Sequence, residues 1–225
     1  MSHTGLYMLK NKELFNNLKT LNPEVDYQAL MAQMQHLSHP RRKLQDLQKN
    51  GQLIRLKKGS YVFSKEFIGK DYSPSIVANL LYGPSYLSLE YALSFYELIP
   101  ERVEAFTSVT TQKNKKFNTP IGSFTYQHLA STIYPIGVCL KKTADERTFL
   151  IATPEKALMD IFSLQFENSN SPSKADIQSA LEQDLRLDLN ALKKKLNRDS
   201  LHQMKPHYQY RRWNKLVLNY LLESL

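Results

Sequence analysis

Little in this 225-residue sequence points to covalent staples, a bound metal or a membrane. There is a single cysteine, Cys139, in the apolar run YPIGVCL, so no internal disulfide can form. No Cys or His ligand cluster surrounds it, and a buried, inert thiol is the expectation. The six histidines (His3, His36, His39, His128, His202 and His207) are scattered, without the paired spacing of a zinc site. The opening MSHTGLYMLKNKELF has no apolar core of the signal-peptide kind. The most hydrophobic window, residues 78–100, is broken by Asn79, Gly83, Pro84, Glu90 and Glu97, which excludes a bilayer span. A cytoplasmic protein without membrane contact or cofactor is expected.

Catalytic signatures are missing as well. There is no Walker Gly-Lys-Ser/Thr, no GxSxG and no HExxH. A nucleotidyltransferase needs carboxylates near a Gly-Ser turn to hold magnesium. The stretch YGPSYLSLE supplies Gly and Ser, but no Asp-x-Asp follows. In TPEKALMD, Glu155 and Asp160 are five residues apart and fall on different faces of a helix, which argues against a shared metal. Glu155 reads as a complement to the helix dipole. The expectation is a protein that is not an enzyme.

Acidic residues are also in short supply: 21 Asp and Glu face 30 Lys and Arg, a net charge of +9. An excess of this size suits an anionic partner, nucleic acid above all. Apolar content of 42% and charged content of 23% are those of a globular chain, long enough for one large domain or two small ones.

The positive charge concentrates in SHPRRKLQDLQKNGQLIRLKKGSYVF, where residues 41–58 hold seven Lys or Arg and one Asp. Before it, Leu14, Phe15, Leu18 and Leu21 form the stripe of a first helix that ends at Asn22-Pro23. Asp26 can cap a second helix carrying Leu30, Met31 and Met34 inward. Ser38 is read as the N-cap of a third, with Pro40 in its first turn and Asn50-Gly51 at its end. Strand-like runs on either side of Lys57-Lys58-Gly59-Ser60 then signal a hairpin. Three helices followed by a basic-tipped hairpin is the order of a winged helix-turn-helix.

On a helical wheel, Leu44, Leu47 and Pro40 point inward and Arg42 points almost directly outward. Ser38, Gln45 and Lys49 flank Arg42 on one side, and His39 and Asp46 on the other. Arg and Gln early in such a helix are the types that read guanine and adenine edges. The candidate DNA-binding residues are therefore Ser38, His39, Arg41, Arg42, Gln45 and Lys49 on the helix. Lys57, Lys58 and Ser60 on the hairpin complete them, the lysines meeting phosphate or the minor groove. A solvated amphipathic helix is the competing reading of the same charges.

Residues 71–166 read as an α+β unit. Helices are expected over 75–81 and 88–98, separated by the Gly-Pro break, and strands over 103–111, 122–128, 136–140 and 148–152. Thr153 caps a further helix with Pro154 at its first position and a buried stripe of Ala157, Leu158, Ile161 and Phe162. The Ser/Asn-rich ENSNSPSK, residues 167–174, is read as a linker. Helices are then expected over 177–185, 189–196 and 208–225, the last with Trp213, Leu216, Val217, Tyr220 and Leu221 as a packing face. Lys193-Lys194-Lys195 and Arg211-Arg212 are read as surface charge. The fold class expected is α+β: a winged helix-turn-helix over 1–66, a mixed α+β domain over 71–166 and a C-terminal helical region over 176–225.

Three blocks, LIRLKKGSYVF, ANLLYGPSYLSLEYALSFYELIPERVEAFTSVTT and FLIATPEKALMDIF, together resemble the AbiEi antitoxin family of type IV toxin–antitoxin and abortive-infection systems. The likeness runs from about Lys43 to Phe166, and its middle block is the most specific. It implies a winged helix that binds double-stranded operator DNA and represses its own operon. It also implies that the rest of the chain counteracts a nucleotidyltransferase toxin encoded next door, by direct binding or indirectly. Two other readings stay open: a regulator of an unrelated operon whose second domain senses a ligand, and a nucleic-acid-processing enzyme targeted by the winged helix.

Overall fold

The computed structural model describes residues 13–101, 103–165, 173–208 and 212–224. The chain is mixed α+β and divides into two compact units, Met1–Val77 with Asn118–Ile121, and Ala78–Phe117 with Gly122–Leu225.

In the first unit a helix over residues 13–19 (α1) buries Leu14 and Leu18 and leaves Phe15 at the surface. Strand β1 (Glu24–Asp26) leads into α2 (Tyr27–Met34), which is capped as its sequence suggests: Asp26 Oδ1 accepts from Ala29 N–H at 2.7 Å. Leu30 and Met34 are buried, while Met31 is only half-buried. Helix α3 (Pro40–Lys49) has Pro40 in its first turn, but His39, not Ser38, is the N-cap, and no side chain caps it. The correction has a geometric reason. Lys43 N–H bonds to His39 O, so the first helical turn starts one residue later than a Ser38 cap requires. At the other end Gly51 has φ +68°, where a side chain is disfavoured, and its N–H returns to Gln48 O.

Strands β2 (Leu53–Lys57) and β3 (Ser60–Phe63) form the expected hairpin, with Gly59 at φ +85° in its turn. Lys57 is part of β2 and pairs with Ser60, so the turn is tighter than the sequence suggests, and the register shifts between Arg55 and Lys57. The sequence pattern missed β1, which adds to β3 through Glu24↔Val62, Val25↔Tyr61 and Asp26↔Ser60. Leu44 and Leu47 of α3 share one core with Leu14, Leu18, Leu30, Met34, Leu53 and Phe63. Each such buried side chain contributes roughly 1.5–3 kcal/mol. A short helix, α4 (Lys65–Ile68), closes that core with Phe67 and Ile68.

Helix α5 (Pro74–Leu81) contains the division between the units. The second unit is built on a six-stranded sheet of order β6-β7-β5-β4-β9-β8. Its strands are β4 (Ser85–Leu87), β5 (Phe106–Thr110), β6 (Lys115–Thr119), β7 (Gly122–His128), β8 (Val138–Lys142) and β9 (Thr148–Ala152). β4 pairs antiparallel with β5 and parallel with β9; β5 pairs parallel with β7, and β8 antiparallel with β9. Two of these strands escape the sequence pattern for opposite reasons. β4 is three residues long and wholly buried, inside what reads as a helix break. β6 (KKFNT) is a polar edge strand without apolar alternation.

Between β4 and β5 lies α6 (Leu89–Phe95), and after β9 comes α7 (Pro154–Gln165). Thr153 caps α7 through its hydroxyl, which accepts from Lys156 N–H at 3.3 Å. The expected stripe of Ala157, Leu158, Ile161 and Phe162 is fully buried. Further along the chain come α8 (Lys174–Ser179), running into a π-turn at Ala180–Asp184, then α9 (Leu189–Lys195), α10 (Arg198–Tyr208) and α11 (Arg212–Ser224). α10 was not foreseen. Pro206 sits in its last turn, and Leu201, Met204 and Tyr208 are buried. The linker expected over 167–174 lies mostly outside the described residues, as does Arg211.

Cys139 differs from expectation. It lies on β8 at the end of the sheet and is half-buried, with Sγ 3.6 Å from the Tyr96 hydroxyl. An edge strand has a neighbour on one side only, so the run YPIGVCL cannot bury it fully. No helix among the described residues is long and apolar enough to cross a membrane.

Candidate nucleic-acid interface

The candidate residues divide between α3 and the β2–β3 hairpin. On α3 the burial of Leu44 and Leu47 fixes the orientation of the helix, and the sequence-derived wheel holds. Arg41, Arg42, Gln45 and Lys49 are exposed, as are Ser38 and His39 just before the helix. Ser38, His39, Pro40, Arg41 and Arg42 line one open concavity of ≈ 400 Å³. Arg41 and Arg42 are both exposed, and neither guanidinium is tied to a carboxylate among the described residues.

On the hairpin, Lys58 is exposed at the turn beside Gly59, whereas Lys57 and Ser60 are half-buried in the strands. Lys58 is therefore the freest cation of the tip, and Lys57 is held in the ladder. Arg55 escaped the sequence reading. It is exposed on β2 and its Nε donates to Lys57 O at 3.4 Å, so it joins the same cationic hairpin. Its i, i+2 spacing to Lys57 was the signal that could have found it. Helix and hairpin are joined by Gln52 N–H donating to Leu47 O and by the core they share.

The second unit holds a polar cluster that sequence reasoning also missed. Lys156 and Asp160 on α7 are both 0% exposed, with Nζ 2.7 Å from Asp160 Oδ1, an ion contact outside ideal hydrogen-bond geometry. Lys156 Nζ also donates to Ile133 O (2.7 Å) and Tyr208 Oη (2.6 Å). Asp160 Oδ2 accepts from Ser88 Oγ (2.7 Å) and Tyr86 Oη (2.9 Å). The ammonium lies near two tyrosine rings, 5.5 Å from that of Tyr86 and 5.3 Å from that of Tyr208. Burial raises the Asp160 carboxyl and lowers the Lys156 ammonium from their ordinary values, and the attraction between them opposes both shifts. Burial and the Asp160 charge push the Tyr134 hydroxyl up to about 12.

The sequence reading compared Glu155 with Asp160, five apart. The pair that forms is Lys156 with Asp160, four apart on one helix face. With Lys156 hydrogen-bonded to Ile133 O and Tyr208 Oη, in ion contact with Asp160, and both side chains out of solvent, the cluster ties α7 to β4, α10 and the segment around Ile133. Glu155, read as a dipole complement, is also buried and accepts from Asn197 N–H at 2.6 Å at the start of α10. Among the described residues no group of three or more His, Cys, Asp or Glu side chains could hold a metal ion. No protein-family model matches the chain, and no curated protein matches it.

Proposed function

We propose that residues 1–66 form a winged helix that binds double-stranded DNA, and that the chain is a repressor of its own operon and an antitoxin against a nucleotidyltransferase toxin. The observation that carries the DNA reading is the solvent face of α3. Arg42 projects opposite the buried Leu44 and Leu47 with Gln45 and Arg41 exposed beside it, and a hairpin follows with Lys58 at its turn. This pattern suits a recognition helix in a major groove with a wing on the backbone. The antitoxin part rests on the resemblance of residues 43–166 to the AbiEi family.

In this reading the guanidinium fork of Arg42 meets guanine O6 and N7, and the point charge of Lys58 meets phosphate. Affinities measured against salt on operator and scrambled duplexes test the division. Arg42→Ala should cost about 1–3 kcal/mol on the operator and narrow its advantage over scrambled DNA. Lys58→Ala should weaken both duplexes alike and lower the salt slope by about one counterion. Equal weakening of both duplexes by Arg42→Ala would make α3 a phosphate-binding surface. The antitoxin role is tested by co-expression, which should restore growth that the neighbouring nucleotidyltransferase alone arrests.

A further inference from the structure

The second unit ends in an open strand whose geometry selects a partner. β8 is the last strand of the six-stranded sheet and, among the described residues, is hydrogen-bonded only to β9. The phase of that ladder follows from its ends. Thr153 N–H donates to Gly137 O, and Thr143 N–H to Arg147 O. The odd-numbered residues of β8 therefore bond to β9, and the even-numbered ones do not. Leu150, opposite Leu140, confirms the alternation, because its N–H and C=O are taken by the Asn79 side chain on the far side of β9. The N–H and C=O groups of Val138, Leu140 and Lys142 consequently point out of the sheet, unpaired among the described residues.

The side chains add a pattern to this edge. Leu140 is 63% exposed and its cross-strand neighbour Leu150 is 39% exposed, on the same face of the sheet. The lysines of β8 are already served within the chain: Lys142 pairs with Glu146, and Lys141 lies 5.6 Å over the Tyr96 ring. The edge thus offers open backbone and an apolar centre, without cations in need of an acidic strand.

We infer that β8 is a self-association edge, and that a second copy of this chain pairs with it antiparallel about a two-fold axis at Leu140. The register follows from the pattern. Leu140 meets Leu140 of the second copy as a hydrogen-bonded pair, and Leu150 extends the apolar stripe on either side. Lys142 falls opposite Val138, and Lys141 opposite Cys139, so no lysine faces a lysine. The two copies of Lys142 end up about 13 Å apart along the strands, beyond the ~8–10 Å screening length of physiological salt, while those of Lys141, about 7 Å apart along the strands, are diagonal neighbours on the opposite face, each held over its own Tyr96 ring. Such an isologous contact closes on itself and leaves no further edge for growth at β8. It is smaller than the ~800 Å² per partner of a standard interface, so the dimer population follows protein concentration. The inference requires no DNA and stands apart from the function proposed above.

Sedimentation velocity of the full chain over a concentration series, without DNA, tests it. The wild type should pass from monomer to dimer. Leu140→Glu and Leu140→Lys, each at a solvent-exposed position, should keep the wild-type thermal midpoint and stay monomeric, because equal charges then meet on the axis. An equimolar mixture of the two variants should regain the dimer. A wild type that is monomeric at every concentration overturns the inference. So does a dimer that survives both single variants, or a mixture that remains monomeric.

Discussion

Replacing Lys156 by Met removes an ammonium that touches a carboxylate, a carbonyl and a phenol in the middle of the second unit. The replacement is of similar length and apolar, so the volume change is small and the electrostatic loss dominates. Asp160 would keep Ser88 and Tyr86 as hydrogen-bond donors but lose its counter-charge, Lys156. Breaking a fully buried pair in this way costs about 3–5 kcal/mol, against 0–1 kcal/mol for a surface pair. For a domain of this size that lowers the thermal midpoint by about 6–20 °C, at roughly 2–4 °C per kcal/mol.

The loss should also depend on pH, with a sign that can be worked out. In the wild type a proton shared between Lys156 and Asp160 leaves the proton count of the folded state unchanged, so the pair adds little slope. In Lys156→Met the attraction that opposes the raised Asp160 pKa is gone, so that pKa rises further. Above the ordinary carboxylate value of 3.8, the folded state then holds a proton that the unfolded state has released. Stability must fall as pH rises through that window, by about 1.4 kcal/mol per unit until the folded-state pKa is passed. Urea unfolding at several pH values reads this directly, and Lys156→Met/Asp160→Leu should recover much of the loss because no charge remains buried. If either single variant costs under about 1 kcal/mol at neutral pH, or if the double variant equals the sum of the singles, the pair is not the coupled unit described.

Three further outcomes are expected. Gly59→Val places a β-branched side chain at φ +85° and should cost on the order of 1 kcal/mol or more, lowering DNA affinity while the helical circular-dichroism signal is kept. Asp26→Ala removes the acceptor from Ala29 N–H and should cost about 1 kcal/mol in denaturant unfolding, whereas Ser38→Ala, at a position that caps nothing, should cost far less. A chain of residues 71–225 should retain much of the growth rescue in co-expression, and full rescue by residues 1–66 alone would invert the proposed division of labour.

The sequence alone determined the elements whose signals are local. α2 and α7 were legible because Asp26 and Thr153 stand where a cap must stand and the apolar residues that follow keep helical spacing. β7 and β9 were legible to the residue, because runs rich in Thr, Tyr, Phe and Ile end at turn residues. The outward face of α3, and with it Arg42 and Gln45, followed from Leu44 and Leu47 because a helix converts spacing into direction without help from the rest of the chain. Tertiary structure decided what depends on partners distant in the chain. β1 and β4 are three residues each, too short for a periodicity, and exist because β3 and β5 offer them hydrogen bonds. Lys156 and Asp160 read as ordinary charges of a helix until Tyr86, Ser88 and Tyr208, up to 74 residues away in the chain, close over them. The free edge of β8 belongs to the same class: whether a strand is interior or terminal depends on how many neighbours the sheet supplies, and no window of sequence contains that number.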